Sequence, residues 1–154
     1  MNTEFKKENF KNKVQILVRY DDLDTLGHVN NKTYLSYLEE SRINYLSEVL
    51  NLKKNSLDFD VVVGRIDIKY LFPIFLNDDV DVYTRISRIG ERSYDFECYV
   101  VKNKNNKIQT CAFASVTLVS VDLKTGKTKL NNPKMIDSIL KYEPIKPIFQ
   151  TNKI

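Results

Sequence analysis

Three acids, the chain's only histidine and two amides fall within the run Arg19-Tyr20-Asp21-Asp22-Leu23-Asp24-Thr25-Leu26-Gly27-His28-Val29-Asn30-Asn31. A carboxylate in such a cluster can take a proton from water or attack a carbonyl, and an imidazole four residues away can orient it, polarise water or donate to an oxygen. Upstream, Val14, Ile16, Val18 and Tyr20 alternate with Gln15 and Arg19, the pattern of a half-buried strand. Downstream, from about Asn31, the residues Tyr34, Leu35, Leu38, Tyr45, Leu46 and Val49 recur at helical spacing, with Asn30 or Asn31 suited to the N-cap. The polar cluster therefore faces the amino end of a helix, where unpaired N–H groups and the helix dipole favour a developing negative charge. An oxyanion fits there.

The elements that must position this cluster follow from the rest of the chain. After the helix, residues 51–60 are polar and linker-like, and Val61 to Tyr70 alternates with one wet face. Pro73 breaks that strand, and Asn77-Asp78-Asp79 marks a turn before Val80, Val82, Thr84 and Ile86 resume the alternation. Gly90-Glu91-Arg92 is the next turn; Tyr94, Phe96, Cys98 and Val100 form a third alternating set ending in a hairpin-like tip at Asn103-Lys104-Asn105-Asn106. From Ile108 to Val121 both faces are apolar or small, which predicts a long central strand covered on both sides. Lys124-Thr125-Gly126 is a further turn, Pro133 to Leu140 suits a short helix, and the tail beyond Pro144 reads as irregular. A long helix followed by consecutive strands predicts an α+β fold in which an antiparallel sheet buries the helix.

With 154 residues and 42% hydrophobic residues, one domain over 1–154 is expected, with its core at about 14–142. The first thirteen residues lack the apolar stretch of a signal peptide and no run is long enough to span a bilayer, so the expected location is cytoplasmic, without membrane insertion. Two cysteines far apart and a single histidine argue against a disulfide framework and a metal site. The formal charge of +4 is spread over the chain without a basic stripe, which speaks against nucleic-acid binding.

The segment Asp-Leu-Asp-x-x-Gly-His-Val-Asn-Asn-x-x-Tyr (Asp22 to Tyr34), followed by Glu39 and Arg42, resembles the signature of the 4-hydroxybenzoyl-CoA thioesterase family of hotdog proteins. It is also similar to the Asp-Leu-Asp-x-Asn-Gln-His-Val-Asn-Asn-x-x-Tyr segment of plant acyl-ACP thioesterases. The order of strand, long helix and antiparallel strands agrees with that family over residues 14 to about 121, while only Arg19 to Arg42 is motif-specific. The resemblance implies a sheet wrapped around one central helix, a homodimer or homotetramer with sites at the dimer interface, and hydrolysis of an acyl-CoA or acyl-ACP without metal or cofactor, a role in lipid metabolism.

Carried over residue by residue, the family's catalytic aspartate falls on Asp24, as general base or nucleophile; its plain alternative is a turn cap. His28 matches the histidine of the plant enzymes, although the enzymes named for 4-hydroxybenzoyl-CoA carry an apolar residue there. Leu26 stands where the plant enzymes have a functional asparagine, so a mechanism needing that amide does not carry over. Asn30 joins Asp24 and His28 as a candidate catalytic residue, and the backbone of Val29, Asn30 and Asn31 forms the expected oxyanion site and helix cap. Glu39 is expected to pair with Arg42, the alternative being a second carboxylate in the site. Asp21 and Asp22 read as solvated turn residues, and Tyr34, Tyr37 and Tyr45 as core or interface. If coenzyme A is the carrier, Arg85, Arg88 or Arg92 are candidates for its phosphates. Two other readings stand beside the hydrolase: a hotdog hydratase or dehydratase, and a module that binds acyl thioesters without turnover. The spacing of Asp24 and His28, with three residues between, favours hydrolysis over hydration.

Overall fold

The computed structural model describes residues 4–51 and 60–150, so most of the linker-like stretch at 51–60 lies outside the described residues. Strand β1 covers Asn12–Ile16, helix α1 Thr33–Val49, β2 Val61–Tyr70, β3 Asp79–Ile89, β4 Ser93–Lys104, β5 Lys107–Ser120, helix α2 Pro133–Tyr142 and β6 Ile148–Phe149. The strands run in the order β1-β3-β4-β5-β2, all antiparallel, with β6 added in parallel to the far end of β3. Alternation in β3, β4 and β5 turns one set of side chains toward α1, and Leu38, Tyr45, Val82, Ile86, Phe96, Val100 and Val116 close that core. The edge of the Tyr45 ring meets Phe96 at 5.2 Å. A sheet wrapped around one long helix is thus formed, with α2 as a shorter second helix.

Three boundaries differ from the sequence pattern. Strand β1 ends at Ile16 rather than Tyr20, because its partner runs out: Ile16 is opposite Val80, next to the start of β3. The chain then leaves the sheet, and Tyr20–Asp22 forms a 3₁₀ turn with Tyr20 80% exposed. Helix α1 begins at Thr33 because the Asn30 side chain accepts the Lys32 N–H at 3.1 Å and the Asn30 carbonyl accepts that of Thr33 at 2.8 Å. The tail is not wholly irregular: β6 pairs with Arg88–Ile89 where β1 no longer covers β3.

The outer face of the sheet is covered in part, at Phe113 of β5 and its neighbours on β3 and β4, while Ser115, Thr117 and Val119 stay half-buried. Phe113 packs against Tyr99 at 4.7 Å, and Phe5 from the amino-terminal segment lies 4.8 Å from Tyr83 and 5.3 Å from Tyr99. At the β4–β5 hairpin, Asn105 and Asn106 take φ of 53° and 61°, the left-handed pair that a two-residue hairpin requires and that asparagine tolerates.

Candidate active site

The chain between β1 and α1 is folded by its own side chains. Asp24 Oδ1 accepts the N–H of Leu26 at 2.9 Å and that of His28 at 3.2 Å, while the Asp24 N–H donates to the His28 carbonyl at 2.7 Å. Gly27, at φ 79°, makes the reversal that lets the two residues meet. Asp24 is thus the turn cap that its residue type suggests, through one oxygen only. Among the described residues no hydrogen bond reaches Oδ2.

Asp24 lines a cleft of about 210 Å³, with His28 and Asn31 beside it. Val29, Tyr34 of α1, Tyr70 at the end of β2, and Leu71, Phe72 and Pro73 beyond it form the remaining wall. The rings of Tyr34 and Tyr70 meet edge-on at 5.0 Å, and the Tyr70 hydroxyl donates to the Asn31 carbonyl at 2.9 Å. Burial pushes the Tyr34 phenol well above its ordinary pKa, so it stays a neutral O–H donor.

The backbone donors expected for an oxyanion are not equivalent. The Val29 N–H already donates to the Ile74 carbonyl at 2.8 Å, and the Asn30 N–H to the Asp22 carbonyl at 2.8 Å. The Asn31 N–H meets no acceptor among the described residues, and Asn31 lines the cleft. The side chain of Asn30 caps the turn through Lys32, so its direct contribution is to the shape of the helix entry.

Other expectations are corrected here. Asp22 is not a solvated turn residue: its Oδ2 accepts the Arg19 N–H at 2.9 Å and the Tyr37 hydroxyl at 2.7 Å, tying the loop to α1. The Glu39–Arg42 pair is not formed; Arg42 is buried and, among the described residues, no carboxylate lies within ion-pair distance of it. Burial pulls the Arg42 guanidinium below its usual range, and the Glu39 charge partly offsets this. Glu39 itself is exposed and stands outside the cleft wall. Tyr34, read as core or interface, is buried but also lines the cleft.

The three arginines considered for phosphate are engaged elsewhere. Arg85 pairs with Glu97 at 2.6 Å, Arg88 with Asp95 at 2.5 Å, and Arg92 donates to the Thr128 carbonyl at 3.0 Å. The registry places Arg88 opposite Asp95, toward the end of the sheet away from Tyr70. Among the described residues no three His, Cys, Asp or Glu side chains gather as metal ligands, and no helix is long and apolar enough to cross a membrane.

One wall of the cleft is not foreseen from the motif: the loop from Leu71 to Asp78. Its signal is nonetheless present, since Leu71-Phe72-Pro73-Ile74-Phe75-Leu76 is an apolar run outside any strand, and connecting loops are ordinarily polar. The loop is anchored by the Leu71 and Phe72 N–H groups on the Cys111 carbonyl, at 2.8 and 3.1 Å.

Comparison with known proteins places the fold. Residues 18–142 match the model of the thioesterase-like superfamily. The long-chain acyl-CoA thioesterase FadM of Escherichia coli (strain K12) is 32% identical over 114 residues, 73% of this chain and 85% of that protein. The uncharacterized protein YsmA of Bacillus subtilis (strain 168) is 29% identical over 119 residues, 77% of each chain. A crystal structure of a thioesterase from Thermus thermophilus, complexed with coenzyme A and Zn, superposes with a TM-score of 0.78 at 32% identity, covering 90% of this chain and 98% of that one. An antiparallel sheet around a long helix and these matches together place the chain in the thioesterase-like superfamily of hotdog proteins, to which it belongs.

Proposed function

We propose that the protein hydrolyses acyl-CoA thioesters, with Asp24 as the residue that activates water or attacks the thioester carbonyl. The observation that carries this reading is the division of labour in the Asp24 carboxylate: Oδ1 is fixed by the amides of Leu26 and His28, while Oδ2 accepts no hydrogen bond among the described residues and Asp24 lines the cleft. A carboxylate held in place through one oxygen loses little freedom when the other takes a proton.

With the thioester carbonyl beside Asn31, water deprotonated by Asp24 Oδ2 adds to the carbonyl carbon. The N–H of Asn31, at the amino end of α1, stabilises the oxyanion that forms. Collapse of this adduct breaks the C–S bond, releasing the carboxylic acid and the thiolate of coenzyme A, which takes up the proton. In the nucleophilic alternative Oδ2 bonds to the acyl carbon and the C–S bond breaks with departure of the coenzyme A thiolate. Water then cleaves the mixed anhydride to the carboxylic acid and the free Asp24 carboxylate, its remaining proton going to the thiolate. His28 and Tyr34 are the neighbouring donors able to hold the carbonyl or the water.

The site is completed by a second copy of the chain. Strand β2 is an edge of the sheet, ten residues long, with Val62 and Val63 exposed, and its open row of backbone donors and acceptors can pair with another strand. Its last residue, Tyr70, is a wall of the cleft, so a copy paired along β2 stands over the site. The test is hydrolysis of short, long and aromatic acyl-CoAs followed by thiol release, with acyl-ACP substrates in parallel. Turnover of acyl-CoA is expected. Turnover of acyl-ACP alone would refute the carrier assignment, and binding without turnover of any thioester would refute hydrolysis.

A further inference from the structure

Lys102 of β4 is the only lysine among the described residues that is buried, with 8% of its side chain exposed. A lysine is seldom buried without partners that satisfy its charge. Here there are three. The ammonium donates to the Pro73 carbonyl at 2.9 Å and to Asp78 Oδ2 at 3.3 Å, and it sits 5.2 Å from the centre of the Phe75 ring. All three belong to the loop between β2 and β3. Asp78 Oδ2 also accepts the Phe75 N–H at 2.8 Å, so one carboxylate oxygen joins the lysine to the backbone of the residue whose ring it faces.

The loop passes this constraint on to the cleft. Next to Phe75, the Ile74 carbonyl accepts the Val29 N–H at 2.8 Å. The Phe75 ring meets the His28 imidazole edge-on at 5.1 Å and 86°. His28 makes its side-chain ring contact with this loop and its backbone contacts with Asp24. We propose that Lys102 is a positioning residue: its buried ammonium fixes the Pro73–Asp78 loop, and through Phe75 and Ile74 that loop fixes the His28 ring and Val29 against the cleft. An apolar side chain of equal length would fill the space but leave the Pro73 carbonyl and Asp78 without their cation, and the loop would lose the charge-assisted bonds that define it. The effect on turnover rests on the reading of the cleft as a thioester site; the effect on the His28 ring does not.

The chain has one histidine, so its imidazole C–H resonances identify His28 directly in a proton NMR spectrum. Spectra are compared for the parent, Lys102→Met, Lys102→Arg and Asp78→Ala. Lys102→Met and Asp78→Ala should both move the His28 signals toward those of histidine in an unfolded chain, and Lys102→Arg should return them most of the way. Because small misplacements in a site lower the rate more than ground-state binding, kcat on acyl-CoA should fall about 10- to 100-fold in Lys102→Met with KM within about twofold. His28 signals unchanged in a folded Lys102→Met would overturn the proposal, as would unchanged signals in Asp78→Ala if Lys102→Met does not fold. Moved signals with unaltered kcat would uphold the positioning and count against a part for His28 in the reaction. A parent without turnover would refute the hydrolase reading and leave the spectroscopic test intact.

Discussion

Asp24 and His28 hold each other by two hydrogen bonds in opposite senses: the carboxylate of Asp24 accepts the His28 N–H at 3.2 Å, and the His28 carbonyl accepts the Asp24 N–H at 2.7 Å. The aspartate is therefore cap and candidate catalyst at once. Capping uses Oδ1, and no hydrogen bond among the described residues reaches Oδ2, so the cap does not occupy the oxygen proposed for the chemistry.

Asp24→Asn separates them. The amide oxygen can still accept both N–H groups, so the loop is retained, but the amide can neither take a proton at neutral pH nor attack a carbonyl well. The expected loss is ~10²–10⁴-fold in kcat, the usual contribution of a general base. Melting curves should match those of the parent. Thioester hydrolysis at the parental rate would leave the aspartate as a turn cap only.

Asp22→Ala acts on stability instead. It removes the acceptor of the Arg19 N–H and of the Tyr37 hydroxyl, and with the latter the side-chain tie between the loop and α1. Hydrogen bonds to a charged group contribute about 1.5–3 kcal/mol when sheltered, and partial exposure reduces the expected cost to about 1–2 kcal/mol. Urea denaturation measures this directly; a midpoint equal to the parent's would show that the loop is held by the backbone alone.

Charge placed on the β2 edge should separate subunits and silence the site together. The parent is expected to sediment as a dimer or larger at micromolar concentration. Val62→Lys combined with Val63→Lys sets like charges against each other across a paired edge, so it should yield a folded monomer with little turnover. A parent that sediments as an active monomer would refute the shared-site arrangement.

Glu143 supplies a dependence on pH with a defined sign. It is buried at the end of α2, where Oε1 accepts the Tyr45 hydroxyl and the Ile86 N–H, and burial raises its pKa above the ordinary 4.5 despite these bonds. Between the ordinary and the raised value the folded state binds more protons than the unfolded one, so stability falls as pH rises through that window. Glu143→Gln removes this contribution: its stability should change less from about pH 4.5 upward, and the gain over the parent should be largest at neutral pH. Chemical denaturation at several pH values checks this, and parallel curves for the two proteins would rule it out.

Much of the framework is legible in local sequence. Alternation marks β2 to β5 because each residue in a strand points to the face opposite its neighbours, and Asn105-Asn106 marks the hairpin because asparagine tolerates positive φ. The stripe from Tyr34 to Val49 gives α1 for the same kind of reason. Asp24, Gly27, His28 and Asn30 could be singled out because a capped turn at a helix entry is built from residues two to four apart.

The tertiary structure decided what faces that turn. Where β1 ends depends on where β3 begins, and the role of Asp22 depends on Tyr37 reaching back from the helix. The opposite wall of the cleft comes from Tyr70 and the loop after it, and the ammonium that holds the loop comes from β4. None of these partners is a near neighbour in the chain. Their meeting is fixed by the strand order β1-β3-β4-β5-β2, which periodicity does not encode, because alternation selects a face for each side chain but not the strand beside it.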